Sequence, residues 1–144
     1  MESRDAAIIR GTLGLASEGI SGDIAEMGTA EAADPFDEEI VIHEAASLPY
    51  GGDWTGKAGL RGLMERIASV ANLSVSPANV DLFDVGDGQV ITRQTAVFTA
   101  PGTGETLAMP MVEVYKLENG KITDIDVYYK DTKALVDFLS SPRS

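Results

Sequence analysis

The stretch HEAASLPYGGDWTG, His43 to Gly56, holds the chain's only histidine, its only tryptophan, one of its four tyrosines and a Gly-Gly pair. A carboxylate beside an imidazole is minimal equipment for moving a proton, and aromatic rings nearby offer large apolar faces with one polar handle each. Glu44 is the candidate general base or acid. An acid on a half-buried strand costs free energy unless it is ionised with partners or kept neutral by a raised pKa, and burial of that kind tunes a carboxyl for proton transfer. His43 is the candidate proton partner, set against the plainer reading of a hydrogen-bonded structural histidine. On a regular strand neighbouring side chains point to opposite faces, so pairing His43 with Glu44 would need a bulge. Without one, Glu44 must find Tyr129 or Gln94, or stay protonated. Tyr50 and Trp54 are candidate ligand contacts, with Trp54 read equally well as a pin holding its loop to the next helix. Gly51 and Gly52 permit a tight backbone path.

The rest of the composition narrows the chemistry. The chain has no cysteine, which excludes disulfides, thiolate nucleophiles and zinc-thiolate sites, and its one histidine excludes a histidine cluster. No metal and no cofactor is expected. The formal charge of −12 opposes the phosphate neutralisation that nucleic-acid binding requires, so neither nucleic acid nor an anionic membrane is an expected partner. With 44% hydrophobic and 24% charged residues the composition is that of a globular domain, and no apolar run is long enough to span a bilayer. The start, MESRDAAIIRG, lacks the basic-then-apolar order of a secretory signal, and a cytoplasmic location is expected. The 144 residues are sized for one domain, 1–144.

Which elements would position the candidates? Residues 5–28 carry apolar residues at helical intervals (Ala6, Ile9, Leu13, Ile20, Ile24, Met27), and glycines predict a break near Gly19 to Gly22. TAEAADPFDEE reads as an acidic connection or a short turn of helix, and IVIHEAAS as a β-branched run of strand length; continued to Leu48, residues 44, 46 and 48 share one strand face. From Thr55, the apolar residues Leu60, Leu63, Met64, Ile67 and Val70 or Ala71 mark one face of a helix. Four strand-like runs follow, VDLFDV, QVITRQTAVFTA, LAMPMVEVYKL and KITDIDVYY. Asn119-Gly120 signals a type I′ hairpin turn between the last two. Asp131-Thr132 caps a short final helix. Helices first and antiparallel hairpins last imply an α+β domain with helices packed on one face of a bent sheet.

This order of elements, HEAASLPYGGDWTG leading into a helix, and VEVYKLENGKITDIDVYYKD near the end resemble the NTF2-like superfamily, in its SnoaL-like and ketosteroid-isomerase-like branch. The resemblance covers nearly the full chain. It implies a conical α+β fold whose strongly curved mixed or antiparallel sheet, with helices on its concave face, encloses a deep apolar pocket, usually in a homodimer. It does not imply one chemistry.

The isomerases carry a catalytic carboxylate in an acid-Pro pair at the end of the first strand. Glu44-Ala45 matches that place, whereas anchoring on Pro49 puts Leu48 there. Their oxyanion acid corresponds to Val112, and no tyrosine precedes Tyr50, so steroid isomerisation by that mechanism is not expected. The Arg-x-Asp and Asp set of the limonene-epoxide hydrolases falls on Gln94, Ala96 and Val127 and is likewise absent. The isomerase pattern and the last strand's alternation place Thr123, Ile125, Val127 and Tyr129 on the pocket wall, with Ile122, Asp124, Asp126 and Tyr128 on the opposite, dimer-facing side. Thr92, Gln94, Ala96 and Phe98 should face inward and Arg93 outward. Expected ligand contacts are therefore Tyr50, Trp54, Gln94, Phe98, Val112, Ile125, Val127 and Tyr129, and the expected partners are a hydrophobic small molecule and a second copy of the chain. The functions in view are a proton-transfer enzyme of isomerase, lyase or cyclase type, a noncatalytic ligand-binding or dimerisation module, and a protein-binding adaptor. The adaptor would need an exposed apolar patch that the sequence does not display.

Overall fold

The computed structural model describes residues 3–17, 34–75 and 80–140. Helix α1 (Arg4–Ser17) is followed by strand β1 (Phe36–Glu44), a short strand β2 (Gly52–Thr55) and helix α2 (Gly56–Val70). Strands β3 (Asn72–Val75), β4 (Asp81–Gly86), β5 (Gln89–Thr99), β6 (Thr106–Glu118) and β7 (Lys121–Tyr129) come next, and helix α3 (Thr132–Ser140) completes the described elements. They form one sheet in the order β2-β1-β7-β6-β5-β3, with β4 also paired to β5. All pairings are antiparallel except β1 with β7, which is parallel. The sheet curls into a half-barrel against the helices, an α+β cone. Among the described residues, no helix is long and apolar enough to cross a membrane.

Alternation decides which side chains enter the core. On β5, Val90, Thr92, Gln94, Ala96 and Phe98 are buried while Arg93 points out, ion-paired with Asp81 at 2.9 Å. On β6 the buried set is Met109, Met111, Tyr115 and Leu117. Leu60, Leu63 and Ile67 form the buried stripe of α2 and join the same cluster as Ile40, Ile42, Phe98 and Met109. Full burial of each such side chain contributes about 1.5–3 kcal/mol. Asn119 and Gly120 both have positive φ, as the type I′ turn requires. Asp131 caps α3 through its Oδ1, which accepts from the Ala134 backbone N–H at 3.0 Å.

Four expectations need correction. The first strand begins at Phe36, so the end of the segment expected as a connection or turn of helix, residues 36–39, is strand; Phe36 is buried in the core although three acidic residues follow it. That strand ends at Glu44, and residues 46 and 48 lie in turns closed by Leu48 N–H to the Ala45 carbonyl and Gly51 N–H to the Leu48 carbonyl. Two four-residue strands, β2 and β3, were not foreseen, because so short a run shows no period. On β7 the pairing shifts between Lys116–Asp124 and Leu117–Ile122, a bulge at Thr123 whose hydroxyl donates to the Lys116 carbonyl. The bulge turns Ile122 inward, where it is fully buried, and leaves the expected alternation intact only from Asp124 onward. The helix expected between Gly22 and Met27 lies outside the described residues.

The glycine pair answers two separate demands. A Cβ on Gly51 would stand 2.3 Å from the Ala45 carbonyl oxygen and 2.7 Å from that of Ala46, so only glycine lets the turn close. Gly52 has open space around it but φ of +98°. Gly51→Ala is accordingly expected to destabilise the fold by more than about 2 kcal/mol, as a backbone clash that the turn cannot relieve. Gly52→Ala should cost about 1–2 kcal/mol, the penalty of a left-handed residue with a Cβ. Urea unfolding of the two variants checks the order, and equal losses would contradict it.

Candidate functional site

Strand β1 presents Ile40, Ile42 and Glu44 to the inside, and Glu44 is its last residue. Tyr129 is the last residue of the parallel neighbour β7, so the two side chains arrive at the same end of the sheet. Tyr129 donates its hydroxyl to Glu44 Oε1 at 2.7 Å, and the Tyr50 hydroxyl lies 3.1 Å from that of Tyr129. With the Tyr129 proton committed to the carboxyl, Tyr50 is the donor in the second bond. The chain of bonds runs Tyr50 to Tyr129 to Glu44. Tyr50 has no exposed surface. Its place is fixed by Trp54, whose indole N–H donates to the Tyr50 carbonyl at 3.0 Å and whose ring lies against Gly62 of α2.

Burial pushes the Glu44 carboxyl up to about 8, with the Tyr129 hydrogen bond pulling the other way and the charge of Glu113 adding to the rise. The Tyr129 and Tyr50 hydroxyls are held well above their ordinary value, chiefly by burial. Both therefore stay protonated donors.

Glu113 was missed in the sequence. The isomerase pattern pointed one residue earlier, to Val112, which sits on the outward parity of β6 opposite Tyr128. The signal was present in the strand itself: Met109, Met111, Tyr115 and Leu117 are the inner set, and Glu113 shares their parity. Its Oε1 accepts from the Tyr115 hydroxyl at 2.8 Å and from Gln94 Nε2 at 3.0 Å. Burial raises its pKa against the lowering effect of those two bonds. The Oε1 of Gln94, a residue only 6% exposed, has no hydrogen-bond partner among the described residues.

Register places the two acids in one row. Glu113 pairs with Val127 on β7 and with Thr92 on β5, and Glu44 is one residue beyond the His43–Asp126 pair, beside Val127. Two strand spacings separate Glu44 from Glu113, about 10 Å between Cα atoms. Val127 and Met111, both buried, form an apolar floor between the Glu44–Tyr129–Tyr50 group and the Glu113–Tyr115–Gln94 group, with Ile125 and Phe98 buried on the same side of the sheet.

His43 takes no part in this arrangement. The strand is regular here, so its ring lies on the outer face, with Nδ1 2.8 Å from Asp53 Oδ1 and Nε2 2.8 Å from Asp124 Oδ2. The hydrogen bonds to Asp124 and then Asp53 raise its pKa. Beside it, Tyr128 donates to Asp126 Oδ2 at 2.8 Å. The two faces meet in a recess of about 290 Å³ at the ends of β1 and β7, lined on the inner side by Glu44, Val127 and Tyr129 and on the outer side by His43, Asp126 and Tyr128. No group of three or more His, Asp or Glu side chains among the described residues is arranged to hold a metal ion.

Comparison with known proteins places this geometry in a family. An NTF2-like protein of unknown function from Burkholderia pseudomallei superposes with a TM-score of 0.79 at 14% identity, covering 97% of this chain and 100% of that one. TerC, crystallised with polyporic acid, matches with a TM-score of 0.77 at 15% identity over 96% of this chain and 100% of its own. A Mesorhizobium loti protein proposed to be a SnoaL-like polyketide cyclase is 26% identical, with a TM-score of 0.65 over 86% of this chain and 97% of that one. A search of curated proteins finds no match. The SnoaL-like domain model matches residues 21–125, most of the length of the chain, and the chain belongs to that family.

Proposed function

We propose that the protein binds a small organic molecule against the inner face of the sheet and transfers a proton to or from it through Glu44. One observation carries this reading: a carboxyl whose pKa burial raises to about 8, held by a tyrosine that donates to one oxygen and leaves the other for a ligand. Efficient general acid–base catalysts have pKa values near the working pH. In the ionised form Glu44 takes a proton from a carbon acid; protonated, it returns that proton to a neighbouring atom, the overall outcome of isomerase, lyase and cyclase chemistry. Tyr50 and Tyr129 orient the carboxyl, and Glu113 is a second carboxyl facing the same apolar floor. A Mesorhizobium loti relative proposed to be a polyketide cyclase supports a substrate with acidic C–H bonds. A second copy of the chain is proposed to cover the outer face, where Tyr128 is 53% exposed beside the outward residues Val112 and Val114.

Deuterium uptake by an enolisable ketone such as acetophenone, followed by NMR in heavy water, tests the chemistry. Glu44→Gln keeps shape while removing the proton, and is expected to slow uptake by about 10²–10⁴-fold. Equal uptake by wild type and variant would remove Glu44 from the reaction, leaving a noncatalytic binding module. Sedimentation at micromolar concentration tests the dimer, and a monomer would overturn it.

Glu44 also ties stability to pH. Its folded pKa of about 8 exceeds the ordinary 4.5, so between those values the folded state holds a proton that the unfolded state has released. Its contribution is fully present below about pH 4.5 and is lost as pH rises towards 8, a change of up to about 5 kcal/mol. Unfolding free energies measured from pH 5 to 8 should therefore fall more steeply for wild type than for Glu44→Gln, and parallel curves would show an ordinary carboxyl.

A further inference from the structure

Counting hydrogen-bond donors and acceptors on the inner face identifies the kind of ligand it suits. The Tyr50 hydroxyl is spent on Tyr129, the Tyr129 hydroxyl on Glu44, and the Tyr115 hydroxyl and the Gln94 amide N–H on Glu113. Unpartnered among the described residues are Gln94 Oε1, an acceptor, and Thr92 Oγ1, which can donate or accept; each carboxyl keeps a second oxygen, so with the carboxyls ionised acceptors outnumber donors. An unmet buried acceptor costs about 1–3 kcal/mol, which a ligand bringing a donor would recover.

Charge points the same way. The influences on Glu44 and Glu113 are burial, tyrosine and glutamine hydrogen bonds and, for Glu44, the other acid; no cation acts on either. Lys57, Arg93 and Lys133 are engaged elsewhere, with Asp34, Asp81 and Asp137 respectively. His43 is on the outer face between Asp53 and Asp124.

We propose that the ligand of this site is an organic ammonium ion, a protonated amine on an apolar body, whose N–H groups meet Gln94 Oε1 and the carboxylates of Glu44 and Glu113 while the body rests on Val127 and Met111. The proposal rests on the reading of the inner face as the ligand site and narrows its substrate class. The ammonium is also what arms the base. Its charge favours the ionised carboxyl, so Glu44 releases its proton on binding, the ion pair replacing the O–H bond. The proton passes to solvent through the recess at the ends of β1 and β7, which Glu44 lines. The titratable groups around Glu44 are Tyr50 from the turn, Tyr129 from β7, Glu113 and Tyr115 from β6, and His43, Asp126 and Tyr128 across the recess. The tyrosines stay protonated throughout, so the released proton comes from a carboxyl or from His43, and its loss in Glu44→Gln assigns it to Glu44.

Calorimetry with benzylammonium, benzyl alcohol and acetophenone on the wild-type chain tests this, with the Glu44 side-chain carboxyl followed by NMR. Benzylammonium is expected to bind with up to one proton released and an affinity that rises up to tenfold per pH unit from pH 6 towards 8. Benzyl alcohol should show neither effect, and Glu44→Gln should abolish both. Tighter binding of acetophenone than benzylammonium at pH 7.5, with the Glu44 signal perturbed and no proton released, would overturn the ammonium proposal and keep the inner-face site. If no compound perturbs that signal, both readings fall together.

Discussion

Because β1 and β7 run parallel and end together, the last residue of each emerges at the same place on the sheet. Everything at the candidate site depends on that pairing. It sets Glu44 beside Tyr129, and it leaves the turn after β1 to fold back so that Tyr50 completes the row of hydroxyls. Had β1 paired antiparallel, its C-terminal end would face the N-terminal end of β7, and the carboxyl would have met Lys121 and Ile122 instead. The parallel pair needs a long crossover, and the chain between β1 and β7 provides it by building the rest of the sheet.

The same strand separates two electrostatic regimes by one residue. Outward, His43 stands between two aspartates, whose hydrogen bonds raise its pKa and favour the charged imidazole. Inward, Glu44 has no positive neighbour among the described residues and is pushed towards its neutral form. Burying two carboxyls in one apolar row costs stability, and the tyrosines limit that cost without removing it, since each hydroxyl would itself need a partner if buried alone. A fold selected only for stability would have filled these positions with leucine or methionine, as it did at Met109 and Met111.

Much of this was legible from periodicity. The inward set Thr92, Gln94, Ala96 and Phe98, the stripe Leu60, Leu63 and Ile67, the hairpin at Asn119-Gly120 and the cap at Asp131 all rest on local rules that the core obeys. Glu44 facing Tyr129 was reachable too, because alternation alone sends His43 and Glu44 to opposite faces. What escaped were long-range matters of register. A bulge at Thr123 moved Ile122 across the sheet, the acidic residues after Phe36 hid the start of β1, and reliance on a family pattern gave Val112 the place that strand parity gives to Glu113.

The aromatic cluster that first drew attention then takes on a different meaning. Tyr50, Trp54 and the two glycines look like a rim for gripping a ligand, but their contacts run inward and along the chain. Gly51 lets the turn press on Ala45 and Ala46, Trp54 ties the Tyr50 carbonyl to the start of α2, and Tyr50 in turn holds the hydroxyl that steadies Glu44. A long, flexible partner for the carboxyl, such as lysine, would have neutralised it and ended its use as a tunable acid. A buried tyrosine supplies a hydrogen bond without a charge and keeps its own proton, so the carboxyl is oriented yet still free to titrate near neutrality. The loop serves the chemistry by making one side chain rigid, and rigidity at that point is what lets a change of charge in the ligand be felt as a change of protonation in the protein.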